Sequence, residues 1–252
     1  MTDRPTVKSA RTTLTILNEL RRRGSATVTE LSESFELSTS SIHNYLNTLE
    51  SEGYVVKSGN TYRVGLRFLS LGGHARHKTA LYHAAKPHVR NLADQTGEQA
   101  NLLVEEHGRG IYLQRAYGDD AVETDSYVGQ RVYLHNTALG TAILAHLPSD
   151  RVEAIVDEHG LPATTEKTIT DRNVLFERLE RIRERGVAFD DEARVGGLRC
   201  VAVPIVNNDN TVEGAISVSG PRSRFVGDRY REVIPNRLKQ AANIIELNVS
   251  YD

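Results

Sequence analysis

The sequence predicts an α+β protein of two parts: a small head of three helices and a β-hairpin, joined by a helix to a larger domain where strands and helices alternate. Three observations predict this. A chain of 252 residues is long for one domain, at about 100–200 residues each. Apolar residues recur at helical spacing through the first 50 positions and then give way to two short β-rich runs around a glycine-containing turn. From residue 87 onward, period-two runs of Val, Ile and Ala are interrupted by helical blocks, the pattern of one sheet with helices packed against it.

Composition bounds the function. Hydrophobic residues make up 39% and charged residues 25%, as in a globular chain. Apolar stretches are only a few residues long, far short of the ~20 that cross a bilayer. The opening, MTDRPTVKSARTT, has no apolar signal-peptide core. The single cysteine, Cys200, cannot form an internal disulfide. These features predict a soluble, cytoplasmic protein without a membrane span or a cysteine-built metal centre. Residues 1–75 hold nine Lys/Arg against seven Asp/Glu, whereas residues 76–252 hold 22 against 26. A mildly basic head on an acidic body fits a head that meets nucleic acid.

The head, residues 1–68, is predicted element by element. Ala10, Leu14, Leu17 and Leu20 share a helical face that stops at Gly24. Thr27-Val28-Thr29-Glu30 is the S/T-x-x-E pattern that opens a helix, here one carrying Leu31 and Phe35 inward. Glu36-Leu37-Ser38 makes a turn, and Ser38 caps a third helix with Ile42, Tyr45, Leu46 and Leu49 on its inner face. Tyr54-Val55-Val56 and Thr61-Tyr62-Arg63-Val64 then flank the turn-forming Lys57-Ser58-Gly59-Asn60. Two helices joined by a short turn and followed by a hairpin predict a winged helix-turn-helix. Small helical domains also bind proteins, but the outer face of the third helix favours double-stranded DNA. Thr39, Ser40, His43, Asn44, Asn47 and Thr48, with Ser41 beside them, are small or polar donors and acceptors, suited to base edges and phosphates in a major groove. Lys57 and Arg63 in the hairpin are the expected phosphate contacts.

Residues 69–86 read as a connecting helix, with Pro87 starting the next one. His74 and His77 share a face there, but no carboxylate repeats with them, so a His-rich surface is expected rather than a metal site. Beyond it, residues 87–252 are predicted to hold helices near 87–96, 137–147, 149–159, 171–185 and 227–246. Strands are predicted near 99–106, 110–117, 187–191, 199–206 and 212–219.

Three of these strands alternate in the same way. Val201, Val203 and Ile205 oppose Cys200, Ala202 and Pro204; Ile216 and Val218 oppose Ala215, Ser217 and Ser219; Val187 and Phe189 oppose Ala188 and Asp190. One sheet face is therefore bulky, and the other is lined by small and hydrogen-bonding groups. Such a face suits a pocket for a small molecule, and it would equally let a helix pack closely. In His135-Asn136-Thr137-Ala138-Leu139-Gly140, Thr137 or Asn136 can cap a helix that begins near Ala138; by itself this is an ordinary helix start, but beside Ser217, Ser219 and Cys200 its first-turn amides would form a carboxylate-sized cradle.

Taken together, these segments resemble the IclR-type transcriptional regulators. Arg11…Leu20, Thr29-Glu30-Leu31, Ser40-Ser41-Ile42-His43, Gly53-Tyr54-Val55 and Tyr62-Arg63-Val64-Gly65 are similar to the N-terminal domain of that family. Leu134-His135…Thr137-Ala138-Leu139-Gly140, Phe189-Asp190-Asp191-Glu192, Gly197-Leu198-Arg199-Cys200-Val201-Ala202 and Ser217-Val218-Ser219-Gly220-Pro221 are similar to its C-terminal domain. The resemblance implies a linker helix, a GAF-like effector-binding domain and homodimers or homotetramers on operator DNA. It also implies effector contacts at Ala138, Leu139, Asp190, Cys200, Ser217 and Ser219, and it implies no cofactor. Thr39-Ser40-Ser41 and Asn44 stand where the family often has Lys-Ser-Thr and Arg, and Thr141 stands where it usually has Lys. Two further readings involve Cys200: a redox sensor that controls DNA binding, and an enzyme with this thiol as nucleophile and a nearby His or Asp190 as base.

Overall fold

The computed structural model describes residues 5–124 and 126–250; residues 1–4 and 251–252, at the ends of the two expected domains, and Asp125 lie outside the described residues. The chain divides into two compact units, up to Ala75 and from Arg76 onward.

The first unit is built from α1 (Lys8–Arg23), β1 (Ala26–Thr27), α2 (Val28–Phe35), α3 (Thr39–Ser51), β2 (Val55–Ser58) and β3 (Thr61–Val64). Its helix starts follow from local chemistry. The Thr27 hydroxyl accepts from Glu30 N–H at 3.3 Å while the Glu30 carboxylate accepts from Thr27 N–H at 2.7 Å, closing the capping box of α2. Ser38 caps α3 by accepting from Ser41 N–H at 3.2 Å. The strands form an antiparallel sheet in the order β1-β3-β2. β1 is two residues long and adds a third strand that its sequence does not announce. The hairpin turns through Gly59-Asn60 with Gly59 at φ 60°, the conformation a first-position glycine gives a two-residue loop. Ile16, Leu20, Leu31, Ile42, Leu46 and Tyr62 form the core. The inner stripe of α1 differs from the expected one. Leu14 is 61% exposed and Ala10 is exposed, while Ile16 is fully buried. Leu17 and Leu20 belong to both stripes, so the true face, Thr13-Ile16-Leu17-Leu20, is a small rotation from the expected one and trades a leucine for an isoleucine.

The expected single connecting helix is two helices, α4 (Phe68–His77) and α5 (Ala80–Thr96). The break falls at Lys78-Thr79, and Pro87 lies inside α5 instead of starting a helix. Pro87 forfeits one backbone hydrogen bond. The apolar stripe Leu81, Ala85, Val89 and Leu92 is buried on both sides of it, and that burial holds the helix continuous.

The second unit is a six-stranded antiparallel sheet in the order β6-β5-β4-β9-β8-β7. Its strands are β4 (Gln99–Glu106), β5 (Arg109–Tyr117), β6 (Arg131–Tyr133), β7 (Ala188–Asp191), β8 (Leu198–Val206) and β9 (Val212–Pro221). One face carries Val201, Val203, Ile205, Ile216 and Val218 against α5 and α9 (Ile234–Ser250). The other carries Ala188, Cys200, Ala202 and Ala215 against α6 (Ala138–Leu144), with α7 (Ser149–His159) and α8 (Arg172–Arg185) completing that layer. The sheet is thus buried on both faces. Buried Glu98, bidentate to Arg224 at 2.7 Å and bonded to Arg229 at 3.1 Å, ties the start of β4 to the segment leading into α9.

Candidate functional site

In the first unit, α3 sorts its side chains cleanly. Ile42, Leu46 and Leu49 are buried, whereas Thr39, Ser40, His43, Asn44 and Asn47 are exposed and Ser41 is half-buried beside its cap. Asn47 Nδ2 lies 3.0 Å from His43 Nδ1, one turn away, so the two polar groups are paired on the exposed face. In the hairpin, Lys57 pairs with Tyr62 and Arg63 with Val56. Because paired residues share a face and neighbours alternate, the two cations project to opposite faces. Lys57 Nζ sits 5.5 Å from the Tyr62 ring centroid.

In the second unit, the small sheet face does both things its composition allows. Ala188, Ala202 and Ala215 let α6 pack tightly. Beside them, Asp190, Cys200 and Ser219 line a cavity of about 30 Å³, roofed by Thr137, Ala138 and Leu139 at the start of α6. Tyr112 and the loop carrying Arg194, Val195 and Leu198 complete it. The same loop lines an outer cleft of about 580 Å³ with Thr124 and Pro221. That volume separates a water-sized void from a surface groove, with one short segment between them.

The roof is set by two residues. Thr137 caps α6, its hydroxyl accepting from Gly140 N–H at 2.9 Å. Gly140 is required by proximity: a Cβ there would lie 2.2 Å from the Leu134 carbonyl oxygen and 2.4 Å from its Cα. The first-turn amides of Ala138 and Leu139 have no helical carbonyl to reach. With only seven residues, α6 offers donors more than a large dipole.

On the floor, Asp190 accepts from Ala193 N–H at 2.8 Å. Burial pushes its carboxyl up to about 6, opposed by the Ala193 amide and the Arg178 guanidinium. Burial also pushes the Cys200 thiol up to about 12, although the Ser219 hydroxyl lies 3.0 Å from its sulfur. A thiol so placed stays protonated at neutral pH. Of the six expected effector residues, Ala138, Leu139, Asp190, Cys200 and Ser219 line the cavity; Ser217 lies outside that lining, where its hydroxyl accepts from Asn101 Nδ2 at 3.2 Å.

Sequence reasoning missed the other half of this face. The register aligns Gln99, Ser219, Cys200 and Asp190 in one row and Arg115, Asn101, Ser217 and Ala202 in the next. Gln99 and Asn101 alternate with Ala100 and Leu102 just as Ser217 and Ser219 do with their neighbours, so the same rule applied to that strand finds them. Arg115 escapes the rule. A bulge on β5 opposite Leu102/Leu103 inserts one residue, which puts Tyr112 and Arg115, three apart, on the same face. Among the described residues no group of His, Cys, Asp and Glu could hold a metal ion. No helix among them is long and apolar enough to cross a membrane.

Comparison with known proteins adds an independent line. The IclR helix-turn-helix domain matches residues 9–59, and the C-terminal domain of bacterial IclR transcriptional regulators matches residues 73–247. The chain is 32% identical over 238 residues to the probable HTH-type transcriptional regulator ArcR of Halobacterium salinarum, covering 93% of this chain and 90% of that one. It is 30% identical over 238 residues to the HTH-type transcriptional regulator KdgR of Escherichia coli, covering 94% and 90%. Among solved structures, the Thermotoga maritima IclR superposes with a TM-score of 0.78 at 28% identity, covering 96% of this chain and 99% of that one.

Proposed function

The chain belongs to the IclR family of DNA-binding transcriptional regulators, which carry a C-terminal effector-binding domain, and from that premise we propose that a small oxygenated acid occupying the second unit controls how tightly the first unit holds its operator. The observation that carries this reading is the cavity, where an acceptor (Asp190), a donor-rich roof (Ala138 and Leu139) and the Ser219 hydroxyl converge within one small volume. A carboxylate meets the amides and Ser219. Asp190, ionised above pH 6, can only accept, so the ligand turns a hydroxyl or other donor toward it. These demands describe a 2-oxo, hydroxy or sugar acid. The void is smaller than such a ligand, so binding requires the 194–198 loop to move outward into the adjoining cleft.

On the DNA side, Thr39, Ser40, Ser41, His43, Asn44 and Asn47 read or position on the major groove, and of Lys57 and Arg63, which project to opposite faces of the hairpin, the one on the duplex side contacts backbone phosphate. One head with so few cations has limited affinity, so two heads on a pseudo-palindrome, in a homodimer or homotetramer, are expected. Action on the genome supports a cytoplasmic location. The ArcR and KdgR relatives are regulators, not enzymes, and the high thiol pKa of Cys200 opposes both a catalytic and a redox-sensing role.

The experiment is a thermal-shift panel of small oxo, hydroxy and sugar acids followed by calorimetry. A ligand at 100-fold its dissociation constant adds about 2.7 kcal/mol. Asp190→Asn should keep or improve binding of a plain acid and impair that of a hydroxylated one. An unchanged preference between the two ligand types would remove Asp190 as the group that orients the ligand.

A further inference from the structure

Arg115 is 8% exposed, on the face of β5 that Tyr112 shares. Its Nε donates to Asn101 Oδ1 at 3.2 Å and its Nη2 to Thr124 Oγ1 at 2.8 Å, both neutral acceptors. Its Nη1 is buried without a hydrogen-bond partner, and no carboxylate among the described residues pairs with the guanidinium. A buried guanidinium held only by neutral groups keeps its charge uncompensated and one donor unused. Elsewhere in the same unit this cost is avoided: the buried carboxylate of Glu98 meets two arginines.

The surroundings of Arg115 are built rather than incidental. Asn101 Oδ1 also accepts from Gln99 Nε2 at 2.6 Å, and Asn101 Nδ2 donates to Ser217. That network fixes the guanidinium plane and connects it across the sheet to the strand that supplies Ser219. The guanidinium lies 5.7 Å from the ring centroid of Tyr112, which lines the cavity, and Thr124 lines the adjoining cleft. Arg115 itself lies outside the lining of both cavity and cleft, behind Tyr112 and Thr124 and toward the β5 end of the sheet, away from Asp190 on β7. Its fork geometry suits carboxylate or phosphate oxygens.

We propose that Arg115, just behind the cavity lining, is a second anion-recognising residue for the effector, and that the effector is a small acid with an anionic group at each end, a short dicarboxylate or a phosphorylated acid. This inference rests on the proposed effector reading and narrows it. One acidic group meets the roof amides and Ser219; the other pairs with Arg115 and takes up the Nη1 donor that Asn101 and Thr124 leave unused.

The test is titration calorimetry of the whole protein with matched probes: butyrate against succinate, 2-oxobutyrate against oxaloacetate, and glycerate against 3-phosphoglycerate. In at least one pair the acid with two anionic ends should bind about tenfold tighter or more, as a charge-assisted pair allows; which pair responds separates a carboxylate from a phosphate at the far end. Arg115→Gln should shrink that gap to about twofold while leaving the monoanion nearly unchanged. Arg115→Lys, which keeps the charge without the fork, serves where the Gln variant does not fold, and should retain a reduced preference. Equal binding within every pair by the wild type, or a folded Arg115→Gln protein that keeps the gap, overturns the inference and leaves the effector reading standing. No binding by any of the six probes overturns this inference, and silence across the wider thermal-shift panel overturns the effector reading as well.

Discussion

The outer face of α3 and the cavity face of the sheet use the same residue types for opposite purposes. On α3, Thr39, Ser40, Asn44 and Asn47 are exposed, and their hydrogen bonds, Asn47 to His43 and Ser40 to the Ser38 cap, are local ones that an incoming duplex can compete with. On the sheet, Gln99, Asn101, Ser217 and Ser219 are buried and bonded to one another or to Arg115 and Cys200. An exposed polar face is adaptable, because water competes for every group at little cost. A buried polar face is selective, because each group left unpaired is expensive and only a ligand of the right pattern can pair it. One unit is thus suited to many phosphates and a few bases, the other to one small molecule.

The largest effect expected on this contrast comes from the roof. Gly140→Ala drives a methyl group into the Leu134 backbone, and neither segment has room to retreat. Urea unfolding of the full chain should show a loss of about 3 kcal/mol or more, with the thermal response to acids lost. A variant as stable as the parent would mean the roof is loosely packed and the cavity face less committed than its burial implies.

Next in size is a pH effect at Asp190. Burial raises its carboxyl from 3.8 to about 6, so in that window the folded chain holds a proton that the unfolded chain has released. Unfolding free energy therefore falls as pH rises from about 4 to about 6, by about 3 kcal/mol at most, and the penalty is fully present above that range. Asp190→Asn should flatten this segment of the stability profile. Acid ligands should likewise bind more weakly as pH climbs through 6. A profile with the same slope in both proteins would show that water reaches the carboxylate.

The exposed face gives smaller, separable effects. Asn44→Ala and Asn47→Ala should each weaken the cognate duplex by about 1–3 kcal/mol and relax specificity, with folding stability unchanged. A folded double variant with parental affinity would remove α3 as the reader. Smallest of all are the hairpin cations. Because Lys57 and Arg63 point to opposite faces, one alanine substitution should lower the salt dependence by about one phosphate and the other should leave it alone. Equal effects would mean the hairpin enters edge-on.

The contrast also explains what the sequence made visible. Capping residues Thr27, Ser38 and Thr137 act within three residues, so their roles are written locally and the structure realises each one. Alternation exposed Asp190, Cys200 and Ser219 because β7, β8 and β9 are regular where they meet. Arg115 was hidden by a bulge, which breaks the period on which such reading depends. Pro87 misled because propensity is local, whereas the burial that keeps α5 intact is not. Leu14 and Ile16 lie on nearly opposite sides of α1, but Leu17 and Leu20 fit a stripe with either, so the apolar pattern alone does not choose between them.

The central claim is that the two faces are coupled, and one titration addresses it directly. A duplex selected by the protein from random DNA is titrated with the wild type by fluorescence anisotropy, with and without a saturating acid that raises its melting temperature. Regulation requires the acid to change duplex affinity by about 5- to 150-fold, and the duplex to change acid affinity by the same factor. An acid that binds in the cavity and leaves duplex affinity unchanged would contradict the account.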